Sequence, residues 1–217
     1  MLDRLVSQKT KLQVYFALNF TVALLAFIVS WRAFFFFSGY IFLIWFYSHK
    51  LKKYPVIGNL TAAFLAVLPF FGILMYFKNF YQVIFAHATF LFLLILTREL
   101  IKDLENIKGD LVANYRTIPV MFGENASKKI ITLLIFLTII PVYLLIDVYD
   151  VGYMDIYFYI GMLVIIFFLI KLWSAATQAQ YLLLHNILKM LIVAGVFCIV
   201  LINPTVLLHG KRLLSMI

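Results

Sequence analysis

The sequence predicts an all-α membrane protein: a multi-pass bundle of about seven transmembrane helices. Apolar residues make up 65% of the 217-residue chain, against about 45–50% in soluble domains. Mean hydropathy is +1.06, and only 12% of residues are charged. The apolar residues also gather into stretches close to the ~17–25 residues an α-helix needs to cross ~30 Å of hydrocarbon. There, every backbone polar group must find its partner inside the protein.

Seven such stretches follow one another along the chain. The first, residues 13–30, comes after a polar, basic start and is too long for the apolar region of a signal peptide. The second, 33–48, is the shortest, and the basic turn from Tyr47 to Pro55 (YSHKLKKYP) closes it. Pro55 ends that turn before the next helix. The third, 56–77, is separated from the fourth, 80–97, by Lys78. The fifth, 130–148, begins after Lys128 and Lys129 and runs into the acidic segment DVYDVGYMD, which is read as a solvated external turn. The sixth is 156–173 and the seventh 187–203. Residues 1–217 are thus expected to form one membrane-embedded domain with no soluble module attached.

A net charge of +9 would suit a nucleic-acid binder, but its distribution argues for topology instead. With seven spans, only Arg32, Lys78, Lys211 and Arg212 of the 18 Lys and Arg residues fall on one side of the membrane. The other 14 lie opposite, and cytoplasmic loops carry that excess. The segment after residue 97 is therefore expected in the cytoplasm, at the plasma (inner) membrane. Cys198 is alone, so no disulfide forms within the chain, and it reads as a small core residue. His49, His87, His185 and His209 lack metal-ligand spacing. Only His87 falls inside a span, where a hydrogen bond to a neighbouring helix is the preferred account.

The chemistry concentrates after the fourth span. Five of the nine acidic residues fall between Glu99 and Glu124. Glu99, Asp103, Asn106 and Asp110 step by four, three and four, so a helix continued that far would carry all four on one face. Like charges at that spacing repel, and a cation between them removes the conflict. Hard oxygen ligands favour Mg²⁺, which takes one or two carboxylates and completes its shell with water and substrate phosphate. Arg98, Lys102, Lys108 and Arg116 surround the face, which suits a diphosphate. A plainer account is a salt-bridged helical extension, with Lys102 paired to Glu99 or Glu105.

KDLENIKGD at Lys102–Asp110, followed by RTIP at Arg116–Pro119 and by Phe122 and Gly123, resembles the second aspartate-rich motif of the UbiA superfamily of intramembrane prenyltransferases. The wording is closest to the branch of geranylgeranylglyceryl phosphate geranylgeranyltransferases. Tyr47-Ser48, Leu51-Lys52 and Gly58-Asn59-Leu60 resemble a second family segment, and HNILKM at His185–Met190 resembles the approach to its last helix. The resemblance implies Mg²⁺-dependent transfer of a prenyl group from a prenyl diphosphate to a hydrophobic acceptor, a lipid or an aromatic compound. It makes Asp103 and Asp110 the catalytic carboxylates and Asp103, Asn106 and Asp110 the metal ligands. Tyr47, Lys52, Lys102 and Arg116 would bind diphosphate.

Two departures stand out. Asn106 takes a position the family usually gives to Asp, and an amide oxygen ligates without bringing charge. The family has nine helices and a first motif, N-D-x-x-D-x-x-x-D, after the second; here Asp3 is the only acid before Glu99. The chain is therefore expected to match helices three to nine, to lack half of the metal clamp, and to transfer little or no prenyl group when purified alone. The rival readings are an inactive or partner-dependent remnant and a cation-binding transporter. Transporters favour internal repeats and helices broken at midplane; no repeat is evident, and Pro69 and Pro141 are the only prolines inside the spans.

Overall fold

The computed structural model describes residues 7–77 and 81–202. It contains eight α-helices: α1 (Gln8–Val29), α2 (Trp31–Phe46), α3 (Ile57–Phe77), α4 (Gln82–Glu105), a short α5 (Ile107–Val112), α6 (Ile118–Tyr143), α7 (Asp155–Ser174) and α8 (Gln178–Cys198). The seven long ones follow the expected stretches in order, and no strand occurs among the described residues. Five of them, counting α6 with the turn that follows it, are long and apolar enough to cross a membrane. The chain is an all-α integral membrane bundle.

α4 is the central helix, packed against α3, α6 and α8. Its Leu100, Ile101 and Leu104 are buried, and Phe168 and Leu172 of α7 and Leu184 and Leu188 of α8 meet them in the main core. Lipid tails are as apolar as leucine, so close packing and hydrogen bonds between helices must hold such a bundle together. Ala63 on α3 and Ala88 on α4 are both almost fully buried, and side chains that small let two helices approach closely. The Tyr40 hydroxyl donates to the Leu65 carbonyl across α2 and α3 at 3.0 Å. The Tyr157 hydroxyl does the same to Leu191 across α7 and α8 at 3.0 Å.

The structure corrects several expectations. α6 begins at Ile118 rather than near residue 130. Lys128 does not punctuate it as a solvated charge: it is buried, with Nζ 2.9 Å from Glu124 Oε1 and 2.6 Å from the Ala175 carbonyl. The helix kinks instead at Gly123, at φ +82°, where a side chain would be strained. His87 bonds its own helix, Nδ1 lying 2.9 Å from the Val83 carbonyl, and not a neighbouring one. In the acidic turn Asp147 and Asp150 are exposed, whereas Asp155 opens α7, where the helix dipole favours a carboxylate. Asp3, Arg4, Lys78, His209, Lys211 and Arg212 lie outside the described residues.

Candidate functional site

The expected four-residue stripe on one helix does not form. α4 continues past Thr97 to Glu105 and stops because Asn106 leaves helical geometry, at φ −110° and ψ 19°. The amide of Asn106 is shared between the carbonyls of Lys102 (3.1 Å) and Asp103 (3.2 Å). The chain then winds the short helix α5, which carries Asp110. α5 ends in a Schellman closure: Tyr115 N–H reaches the Asp110 carbonyl at 2.9 Å, and Asn114 N–H reaches Leu111 at 3.2 Å. Asn114 supplies the required left-handed residue at φ +57°, a conformation that Asn tolerates.

The break nonetheless returns Asp110 to Asp103. Both line one cleft of about 320 Å³, together with Tyr47, Lys52, Asn59, Glu99, Lys102, Asn106, Tyr115 and His185. Asp103 Oδ2 accepts from Asn59 Nδ2 at 2.7 Å. Asp110 is 6% exposed; its Oδ1 accepts from Asn106 Nδ2 at 3.1 Å, and its Oδ2 is buried with no hydrogen-bond partner. Gly109 makes room for this arrangement. A Cβ there would lie 2.6 Å from Asn106 Oδ1.

The basic turn forms the opposite wall. Residues Tyr47–Leu51 take one π-helical turn, a rare form that often marks functional sites. Val56 follows at φ +61°, a strained state for a β-branched residue. Gly58 then allows α3 to start against the turn, since a Cβ would sit 3.0 Å from the Lys52 carbonyl oxygen. Arg116 N–H donates to the Lys53 carbonyl at 3.2 Å, which stitches the turn to the segment after α5. Lys52 Nζ lies 5.4 Å from the Tyr115 ring centre. Burial, and then the nearby Glu99 and Asp103 carboxylates, push the Tyr47 phenol up to about 12, so it remains a hydrogen-bond donor at any working pH.

The structure thus gathers Asp103, Asn106, Asp110, Tyr47, Lys52 and Lys102 around one cleft, whereas the Arg116 side chain is exposed and outside its lining. Lys102 Nζ pairs with Glu99 Oε2 at 3.0 Å, as the plainer account anticipated. Asn59, and the pair formed by His185 Nδ1 and Glu105 Oε2 at 2.9 Å, are site residues to which sequence reading assigned no role. Asn59 stands inside the quoted Gly58-Asn59-Leu60 and His185 opens the quoted HNILKM, but no spacing rule ties them to the acidic segment. Among the described residues no three His, Cys, Asp or Glu side chains converge as a metal site. Of the four carboxylates in the lining, Glu99 is paired with Arg98 and Lys102 and Glu105 with His185, which leaves Asp103, Asp110 and the Asn106 amide.

Comparison with known proteins fits this architecture. A digeranylgeranylglyceryl phosphate synthase of Pyrococcus horikoshii is 36% identical over 145 residues, covering 65% of this chain and 52% of that protein. The protein of the same name in Pyrococcus furiosus is 35% identical over 123 residues, covering 56% and 44%. The chain thus spans about half the length of the curated relatives it matches. A solved structure from a study of digeranylgeranylglyceryl phosphate synthase in membranes superposes with a TM-score of 0.67 at 19% identity, over 93% of this chain and 72% of that one. That likeness establishes the fold. The UbiA prenyltransferase family model matches residues 1–187, and the chain belongs to that family.

Proposed function

We propose that the protein transfers a prenyl group from a prenyl diphosphate to the free hydroxyl of a glyceryl phosphate ether lipid, at the cytoplasmic face of the plasma membrane. The observation that carries this reading is the convergence of Asp103 and Asp110, from two separate helices, on one cleft walled by Tyr47 and Lys52. Family membership and the names of the relatives support the reaction class and the acceptor. The 14-to-4 distribution of Lys and Arg supports the cytoplasmic side.

The donor set suits Mg²⁺. Asp110 Oδ2 is a buried carboxylate oxygen without a partner, Asp103 has a single side-chain donor in Asn59, and all the donors are hard oxygens. Asp103, Asn106 and Asp110 would hold the ion. When bound, Mg²⁺ supplies the positive charge that stabilises a departing diphosphate. The chain's own residues then position and neutralise. Lys52 and Lys102 face the diphosphate, and Tyr47 donates its hydroxyl to a phosphate oxygen; the Arg116 side chain, exposed and outside the lining, would have to turn inward to join them. Lys102 must exchange Glu99 for phosphate. That costs little, since exposed ion pairs contribute about 0–1 kcal/mol. Asn59 fixes the Asp103 carboxylate, so the charge pattern is set before substrate arrives. The apolar bundle keeps water from the allylic cation.

The test is direct. Membranes holding the full chain receive geranylgeranyl diphosphate and geranylgeranylglyceryl phosphate, with Mg²⁺ or with EDTA. Diether product that depends on Mg²⁺ is expected if the cleft that gathers Asp103, Asp110, Tyr47 and Lys52 suffices, in contrast to the little or no transfer expected of the purified chain from its single acidic motif. Absence of product in the presence of Mg²⁺ and both substrates would refute the reading.

A further inference from the structure

We propose that His185 is the general base that takes the proton from the acceptor hydroxyl, held in its working orientation by Glu105. The inference rests on the prenyl-transfer reading above and names a further catalytic residue for it.

His185 lies two turns into α8, facing the end of α4. Its Nδ1 is 2.9 Å from Glu105 Oε2, with the two side chains 16% and 21% exposed. A carboxylate only accepts hydrogen bonds, so Nδ1 must carry the hydrogen, and in a neutral ring Nε2 then presents a lone pair. That nitrogen is buried and has no hydrogen-bond partner, while the residue itself lines the cleft that holds Asp103, Asp110 and Lys52. Carboxylate, imidazole and unpartnered nitrogen reproduce the orienter–base half of a catalytic triad.

Two other acceptors in the cleft are assigned to the metal: Asp103, which accepts from Asn59, and Asp110, which accepts from Asn106 through Oδ1 and keeps Oδ2 without a partner. Glu99 is bound by Arg98 at 3.1 Å and by Lys102 at 3.0 Å. Tyr47 remains a donor. Of the buried polar atoms in the described lining that have no partner, Asp110 Oδ2, Thr117 Oγ1 and His185 Nε2, only the imidazole nitrogen is both outside the metal set and basic enough to take a proton.

The reaction needs such a group. The allylic C–O bond breaks and its electron pair leaves with the diphosphate. A lone pair of the acceptor hydroxyl forms the new ether C–O bond, and that oxygen must shed its proton. Nε2 receives it and later passes it to water or to the released diphosphate. A well-placed base contributes about a hundred- to ten-thousand-fold.

The experiment counts two products from the full chain in membranes, given Mg²⁺, geranylgeranyl diphosphate and geranylgeranylglyceryl phosphate. One is the ether; the other is geranylgeraniol, formed when water captures the cation. His185→Gln is expected to lower the ether-to-alcohol ratio at least a hundredfold, the lower end of that range. Glu105→Gln keeps an acceptor for Nδ1–H but loses the charge, and should also lower the ratio strongly, since the corresponding carboxylate-to-amide change in a triad costs up to about ten-thousand-fold through the wrong tautomer. Should His185→Gln not accumulate, Glu105→Gln carries the same test. A role confined to tying α4 to α8 would depress both products together, and an unchanged ratio overturns the proposal. A wild-type protein that makes no ether overturns the prenyl-transfer reading first, and the role of His185 with it, so the two failures are told apart.

Discussion

Asp103 is fixed by Asn59 at 2.7 Å, and Asp110 keeps one buried carboxylate oxygen open. These two residues should dominate turnover. Asp103→Ala is expected to lower prenyl transfer at least a hundredfold, the scale of losing one strong electrostatic contributor. Asn59→Ala leaves the charge in place and frees the carboxylate to rotate, so about a tenfold loss is expected, comparable to removing a partner that orients a ligand. Initial rates in membranes at saturating substrate check both. Tyr47 leads to a pH prediction. A phenol pushed up to about 12 by burial and by the neighbouring carboxylates is neutral at every lower pH. The rate profiles of wild type and Tyr47→Phe should therefore have the same shape between about pH 6 and 10, Tyr47→Phe being uniformly slower. A limb near neutrality that disappears in Tyr47→Phe would contradict the assignment of Tyr47 as a neutral donor.

At the scale of elements, the decisive feature is the break at Asn106. The seven long helices were legible because a membrane span demands a long apolar run, which composition shows directly. The acidic segment was legible as chemistry but not as geometry. Regular spacing from Glu99 to Asp110 suggests one continuous helix, yet the Schellman closure at Asn114 and the Arg116–Lys53 backbone bond select a helix–break–helix instead. Asn59 and His185 lie 44 and 80 residues from their carboxylate partners, and only packing brings them in. Two glycines test this reading. Gly109→Ala would drive the Asn106 amide away from Asp110, since its Cβ falls 2.6 Å from Oδ1. Gly58→Ala presses instead on the Lys52 backbone at 3.0 Å, which yields less readily than a side chain. Gly58→Ala should therefore raise KM for the diphosphate several-fold through displacement of Lys52. A KM unchanged in Gly58→Ala would show that the basic turn tolerates movement.

For the whole molecule, a polar network around the buried Lys128 ties the site end of the bundle together. Lys128 ties α6 to the α7–α8 connection through the Ala175 carbonyl and bonds Glu124, and the Tyr181 hydroxyl reaches the same carboxylate. Lys128→Met removes the buried charge and leaves Glu124, 37% exposed, to water and the Tyr181 hydroxyl, so the loss is that of one charged hydrogen bond, about 1.5–3 kcal/mol. Thermal unfolding in detergent should show a lower Tm, with little change if the network is dispensable. Topology is checked by cysteines placed near Asp110, at the exposed Val112, and near Asp150, which should label from opposite sides of the membrane. The account as a whole stands on Asp103 and Asp110 holding the metal that carries the diphosphate. Mn²⁺ in place of Mg²⁺ makes that visible to electron paramagnetic resonance, using the purified full chain and a non-hydrolysable geranylgeranyl thiolodiphosphate. The wild type should bind Mn²⁺ more tightly when the diphosphate analogue is present, and Asp103→Ala and Asp110→Ala should each abolish that increment. Mn²⁺ binding equal to wild type in both variants would contradict the metal site and the mechanism built on it.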